Sequence, residues 1–556
     1  MPVLNLFLPL FLTAGVYVLL FFAQLLFREF RSPLRKLAGP KSSSFVLGNV
    51  KEMEVREDPG ITKKWRHQFG HTFQLRSVFN TREIYTADTL ALDHIIKNTG
   101  VYQKQAIRAN LRLVGEGLLG VEGEAHRRQR RIMNPAFGMV QIRALTEVFL
   151  RKSVQVSALT FMLYTQKYDG ARSYATYGLR QLIQEKPTRI EVLSWLSRMT
   201  LDVICEAGFD YQSDSLNSGE KPNEIHDVFH KLLHSPNLAR QSTIRLAQSA
   251  FPLHILRFFL PASNLNALTN AREKLAAIGK QLLDDTRVAI NAAGGPKAVA
   301  KSRDLFSLLL RANMSGDIAE DHRMTDSEVI GQIPTFFIAG HATTSSVIAW
   351  ALHSLSINQD AQTELREELF SLATDTPTLD ELNSLTYLDW VVRETLRVHS
   401  PVSFVTRIAA VDDILPLGTP CVDSQGRTHT SLLIPKGQTI RIPIVDVNTE
   451  VSLWGDDAAQ FKPERWERVP AAVEAIPSIW GNVLTFLAGP HNCIGFRFSL
   501  AEQKALLFVL IRVFDFERAV PDAEVRRAGV ALQSPFVVSE REKGSQMPLM
   551  VKAYEA

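Results

Sequence analysis

Residues 486–495, FLAGPHNCIG, set one of only three cysteines between two glycines, four residues before it and two after. Glycine adopts backbone angles closed to other residues and lets a second group come close to the main chain. A cysteine in such a loop can be ringed by backbone N–H groups, whose dipoles favour thiolate over thiol. Apolar spacing over residues 498–508 (Leu500, Leu506, Leu507) predicts a helix just after the loop, and its N-terminus adds to that preference. A single rigid thiolate shielded by Phe486 suits the axial position on a haem iron, where thiolate donation favours O–O cleavage. An inert buried cysteine is the competing reading of the loop taken alone.

The 556 residues are 46% hydrophobic and 22% charged, enough for one large core. A net charge of +4 argues against a nucleic-acid partner. Cys205, Cys421 and Cys493 are too scattered for a disulfide framework or zinc spacing, which points to a reducing compartment for the bulk of the chain. Residues 3–27 carry no charge and are rich in Leu, Phe and Val. At ~1.5 Å per residue such a run crosses a hydrocarbon core of ~30 Å. Arg28, Arg31, Arg35 and Lys36 follow at once, which places the remainder in the cytosol. No basic stretch precedes the run and no small-residue cleavage site stands out, so an uncleaved anchor is expected rather than a signal peptide. The chain then divides into an anchor at 1–27, a basic Pro/Gly linker at 28–48 and a globular part at 49–556.

Residues 65–69 and 89–97 read as helices, and 72–76, 83–86, 432–434 and 439–444 as short strands. Most of the rest has helical periodicity, so the class is mainly α with a small segregated β part. Residues 327–355 form a long apolar segment interrupted by Ala339-Gly340-His341-Ala342-Thr343-Thr344-Ser345, which brings poor helix formers into its middle. Helices are expected at 144–156 and 190–209. Between them, 157–187 is rich in Tyr, Ser and Gly without clean periodicity; it reads as an atypical insertion, either a natural loop or a gene-model artefact. Asn313-Met314-Ser315 fits a glycosylation sequon that a cytosolic domain would leave unused.

FLAGPHNCIG resembles the haem-binding signature of the cytochrome P450 family, Phe-x-x-Gly-x-Arg-x-Cys-x-Gly, with His491 at the arginine. Further motifs follow in the family's order, and the resemblance covers residues 33–545. It implies the mainly α cytochrome P450 fold, with haem b between the threonine helix and the cysteine loop. Cys493 would be the iron ligand, within a loop formed by Phe486, Gly489, His491 and Gly495. His126 and Arg130 stand where the family's Trp-x-x-x-Arg grips a haem propionate, and Arg407 resembles the second propionate arginine. Each can donate to a carboxylate, Arg as a bidentate pair. A solvated helix face is the plainer reading of the basic run at 126–131.

The stretch from Ala339 resembles the oxygen-activation motif, (Ala/Gly)-Gly-x-(Asp/Glu)-Thr-(Thr/Ser). This implies catalytic roles for Gly340, which would leave room for oxygen over the iron, and for Thr343, whose hydroxyl can turn to the carbonyl four residues back or to a ligand. The acid position holds Ala342, a departure that removes half of the usual proton relay. His341 beside it points about 100° away around the helix. Glu394-x-x-Arg397, with Arg465 in Phe461-x-Pro463-Glu464-Arg465-Trp466, resembles the family's buried charge network behind the cysteine loop.

The resemblance implies an anchored haem-thiolate monooxygenase that puts one oxygen atom of O2 into a lipophilic small molecule, such as a terpenoid of fungal secondary metabolism. No Gly-rich dinucleotide fingerprint follows Cys493. Electrons are therefore expected from a separate NADPH-dependent flavoprotein reductase in the same endoplasmic reticulum membrane. Arg127, Arg128, Arg497, Lys504 and Arg512 are candidates for its docking face. Phe336, Phe337, Val402, Phe404, Val405 and residues 533–536 are expected to line the pocket, generic core packing being the alternative. Two rival functions stay open: a haem-thiolate isomerase or dehydratase that needs no reductase, which Ala342 favours, and an inactive membrane haem protein.

Overall fold

The computed structural model describes residues 29–49, 60–104, 116–166, 187–213, 215–216, 262–292, 304–314, 322–528 and 532–554, with residues 52 and 53 and scattered positions between 15 and 27. Six helices position the site: α1 (Gly123–Met133), α2 (Met139–Gln166), α3 (Val192–Phe209), α4 (Asp326–Ile357), α5 (Thr386–Val398) and α6 (Phe496–Val513). Helix α4 starts at a capping box, in which Thr325 and Glu328 each satisfy the other's backbone N–H. Among the described residues it is the one helix long and apolar enough to cross a membrane. Its most apolar window is 78% buried inside the protein, so it is the core helix, packed chiefly on α3. Helix α6 packs on α2 and brings Leu506, Leu507, Phe508 and Ile511 into the same core.

The strands form a separate body. β1 (Thr72–Arg76), β2 (Arg82–Thr86), β3 (Tyr102–Lys104), β5 (Val405–Ala409) and β8 (Thr439–Ile442) make a five-stranded sheet in the order β1-β2-β8-β5-β3. β4 (Thr188–Glu191) belongs to a second sheet near the C-terminal end. β6 (Asp413–Val422) and β7 (Thr428–Ile434) form a hairpin beside the larger sheet. Phe73, Leu75, Ile84, Tyr85 and Ile440 give the sheet its own core, and Trp390 and Trp480 pack against both cores. The architecture is mainly α with a small segregated β part.

Boundaries differ from the sequence reading in physical detail. Ile190 lies opposite Leu549 in a strand pair, so the helix expected at 190–209 begins only at Val192. The strand expected at 439–444 ends at Ile442, because Pro443 has no N–H to donate and caps a short helix. Helix α2 continues to Gln166, into the stretch read as non-periodic, and residues 167–186 lie outside the described residues. So does most of the apolar run at 3–27. The Asn313 side chain is buried and bonds Met324 both ways, at 2.6 and 3.0 Å, which withdraws it from any glycan.

Candidate haem site

The cysteine loop is shaped by its backbone. Leu487 takes φ +56°, a sparsely populated conformation that costs ~1–3 kcal/mol and persists only where its surroundings enforce it. Gly489 has φ +64°, and a Cβ there would lie 2.7 Å from the Ile96 carbonyl oxygen, so no larger residue fits. A Cβ at Gly495 would meet only Phe137 at 3.8 Å, an ordinary contact; close approach does not explain that glycine. The Cys493 N–H donates to the Phe486 carbonyl at 2.9 Å, which closes the loop, and Phe486 is wedged between Trp480 and Phe496. Cys493 is accessible from beside the loop, yet the protein packed around it desolvates the thiol and pushes it up from its ordinary value, which the Gly495 N–H and Arg130 offset only in part. Desolvation thus outweighs the N–H dipoles, and a bound metal would supply the missing charge.

Beside the loop lies a concentration of nitrogen donors. His126, on α1, meets His491 edge-on with ring centroids 4.5 Å apart. His491 Nε2 is 3.2 Å from Glu122, and Glu122 accepts from the Lys104 N–H at 2.7 Å. Lys104 stands directly opposite Arg407 in the β3–β5 pair, and Arg407 is buried. Burial pushes the Lys104 amine down to about 8, His126 to about 3 and Arg407 to about 10. The Glu122 carboxyl is raised by burial but held below its usual range on balance by His491 and Lys104. Arg130 forks onto the Asn492 carbonyl and side chain, so it grips the cysteine loop itself. Lys104 and Glu122 carried no motif; the β3–β5 pairing brings Lys104 here, and Glu122 comes from the start of α1.

In the middle of α4, a Cβ at Gly340 would meet Ile204 Cδ1 at 3.0 Å, so this glycine lets α3 come close. Ala339 is the exposed residue, and Thr343, one turn on, donates its hydroxyl to the Ala339 carbonyl at 2.6 Å. His341 turns to α3, where its Nε2 lies 2.7 Å from Ser197 Oγ. Ala342 is buried.

Most of the expected pocket phenylalanines belong to the core. Phe337 stacks on Phe209 at 4.9 Å, Phe336 packs edge-on to Phe137, and Phe536 is fully buried. Phe404 lies under the Arg441 guanidinium. Val402 and Val405 stay half-buried, and the Val402–Leu532 bridge brings the 533–536 segment beside them. The expected docking face is also thinned. Lys504 is buried against Asp389 at 2.8 Å, Arg128 pairs with Glu328, and Arg512 donates to the Thr374 carbonyl. Arg127 and Arg497 remain exposed.

Behind the loop, Arg397 donates to both oxygens of Glu394 at 2.7 and 2.8 Å, with both side chains fully buried. Arg465 Nε reaches Glu394 at 3.4 Å, and Trp466 donates to it at 3.1 Å. Charges buried this deeply persist only when their lone pairs and protons are all engaged.

The cytochrome P450 family model matches residues 38–536. Cytochrome P450 monooxygenase 128 of Postia placenta is 44% identical, over 96% of this chain and 95% of its own. Cytochrome P450 monooxygenase 205 of the same fungus is 43% identical, over 94% and 93%. The chain belongs to the cytochrome P450 family. Cytochrome P450 monooxygenase claP of Ampulloclitocybe clavipes is 35% identical over 94% of each chain. This P450 is therefore a monooxygenase of the haem-thiolate type, its cofactor a haem whose iron takes a cysteine thiolate. The donor cluster fits that cofactor: Lys104, His126, Arg407 and His491 share the single carboxylate of Glu122, and two propionates would engage the donors that it leaves over.

Proposed function

We propose that Cys493 is the axial ligand, because Cys205 and Cys421 are buried in the two cores while Cys493 is exposed beside the donor cluster. That pairing of one accessible cysteine with a dianion-sized set of donors is the observation that carries the reading. The bound haem would supply O2 activation. The chain's own residues hold and orient it: Lys104, His126, Arg407 and His491 toward the propionates, Arg130 through Asn492, and Phe486 and Gly489 by shaping the loop. Glu394, Arg397 and Arg465 brace that loop from behind. Thr343 offers the hydroxyl proton on the side of Ala339, and Gly340 positions α4 against α3.

The substrate is a lipophilic small molecule. Ala339, Val402 and Val405 offer it apolar, partly accessible surface, and a place in fungal secondary metabolism, with terpenoids one fitting class, belongs to the same reading. Electrons come from a separate NADPH-dependent flavoprotein reductase. The apolar run at 1–27 anchors the chain in the endoplasmic reticulum membrane, residues 28–48 connect it, and 49–556 form the cytosolic catalytic domain, with 157–187 as an insertion. The test is turnover with NADPH, reductase and isotopically labelled O2. One labelled atom in the product, and no product without NADPH, is the expected result. Ala342 favours a second reading, an isomerase or dehydratase, which conversion without NADPH or reductase would establish.

A further inference from the structure

The stretch between the apolar run and the sheet is bolted down. Residues 29–31 are helical, and Glu29 reaches the end of the β1–β2 hairpin, 3.0 Å from Arg76 Nη1 and 3.3 Å from Arg82 Nη2. The Arg82 backbone N–H donates to the other Glu29 oxygen at 3.0 Å. The Arg82 side chain is only 2% exposed, and its Nε is already taken by Gln74 at 2.7 Å. A guanidinium this far from water loses heavily when its carboxylate is removed.

The chain stays fastened beyond that point. Leu34 and Leu37 are buried, and the Ser424 N–H in the β6–β7 turn donates to the Lys36 carbonyl at 2.7 Å. The Gln74 N–H donates to the Ala38 carbonyl at 2.9 Å, and Gly39 runs so close to β1 that a Cβ there would overlap the Gln74 carbonyl. Asn49 then exchanges hydrogen bonds with Arg76 at 2.7 and 2.8 Å. The linker expected from the Pro/Gly composition is a strap laid across two hairpins.

The same hairpin end carries exposed apolar groups. Phe27, Phe30, Phe45 and Val46 are all at least half exposed, and the Val46 carbonyl accepts from Phe79 N–H in the β1–β2 turn. Arg31, Arg35 and Lys41 stand among them. Exposed aromatics with flanking cations suit the boundary between lipid headgroups and water. In sequence the apolar run of residues 3–27 directly precedes this clamp, and that commits the surface to a lipid bilayer.

We infer that Glu29 locks the end of the anchor onto the β1–β2 hairpin and thereby fixes the tilt of the catalytic domain on a phospholipid bilayer, with Phe45 and Val46 set into its surface. The inference rests on the anchor reading above. A strap without slack passes the direction of the membrane span directly to the sheet, and through it to the site. Breaking the clamp, or inserting slack ahead of it, frees the domain to tumble on its tether.

The test uses the full-length holoenzyme in oriented phospholipid bilayers. Polarised absorption reads the haem angle, and a fluorophore at Phe45→Cys reads contact with brominated acyl chains. Wild type is expected to hold one narrow angle, with the fluorophore quenched. Glu29→Ala, and separately a short Gly-Ser insertion between Arg28 and Glu29, are expected to lose most of the dichroism. The insertion leaves every clamp contact intact, so its effect is not one of folding, and an unchanged carbon monoxide spectrum checks this. Wild-type dichroism in both variants, or an unquenched fluorophore at position 45, overturns the inference. Release of the full chain by a carbonate wash overturns the anchor reading itself, and this inference with it.

Discussion

Arg397 and Asn448 form the joint between the buried charge network and the cysteine loop. The arginine Nη1 donates to the Asn448 carbonyl at 3.0 Å. The Asn448 side chain accepts from the Leu484 N–H at 2.7 Å and donates to Thr485 Oγ1 at 2.9 Å, just ahead of Phe486. The network thus acts on the ligand loop through the backbone that leads into it.

Arg397→Met leaves Glu394 buried without its bidentate partner and is expected to cost ~3–5 kcal/mol. Asn448→Ala removes two bonds without stranding a charge and is expected to cost ~1–3 kcal/mol. Denaturant unfolding followed by circular dichroism gives both numbers. Asn448→Ala should also release haem faster at unchanged helix content. Wild-type haem release in that variant would remove the joint from the account.

Lys104 stands opposite Arg407 on the neighbouring strand, its ammonium group on the Leu118 and Leu119 carbonyls at 3.0 and 3.3 Å, and is proposed to turn to the same propionates. Lys104→Met removes one charged donor, worth ~1.5–3 kcal/mol, so haem transfer to an acceptor protein should quicken about tenfold or more, since ~1.4 kcal/mol is a factor of ten. An unchanged transfer rate would take Lys104 out of the propionate set.

His399 predicts a pH dependence of stability. It is stacked on Trp350 at 4.5 Å, its Nδ1 accepts from Arg527 at 3.0 Å, and its Nε2 meets Ser354 at 3.1 Å. Burial, reinforced by Arg527 and His353, holds the ring well below its ordinary 6.5, so it is neutral in the folded protein. The unfolded chain binds the proton first. Stability is therefore complete above about 6.5 and falls as pH drops below it, at ~1.4 kcal/mol per pH unit for one proton. His399→Gln should lower that slope by about one proton in unfolding curves between pH 7 and 5 (a window of about two units around the ordinary histidine value). An unchanged slope would show that His399 is not the group responsible.

The Ala342 methyl neither donates nor accepts a proton, which leaves Thr343 without the neighbouring acid. Such assistance is typically worth ~10²–10⁴-fold in rate. Wild type is expected to consume several NADPH per product and to release hydrogen peroxide. Ala342→Glu should raise product per NADPH, at some cost in stability because the site is buried. Tight coupling in wild type would show that the proton arrives by another route.

Much of the site was legible because its parts are local in sequence. The cysteine loop, the Glu394–Arg397 pair and the threonine helix each declare themselves within a few residues. What stayed hidden depends on tertiary approach. Lys104 reaches the site only because β3 pairs with β5, and Asn448 lies in a short helix without a distinctive pattern. The approach of Ile204 to Gly340 was not legible either, because a glycine in a motif does not say which helix comes close to it. Phe336 and Phe337 read as pocket residues by position, yet aromatic packing with Phe137 and Phe209 claims them for the core.

The central claim is that Cys493 supplies the sulfur on the iron. Serine at this position keeps the loop's size and loses the soft, electron-rich donor. The decisive measurement is the absorption spectrum of the reduced carbon monoxide complex, wild type against Cys493→Ser. A red-shifted Soret band is expected in wild type and is expected to be absent from the variant. A variant that kept the band would contradict it.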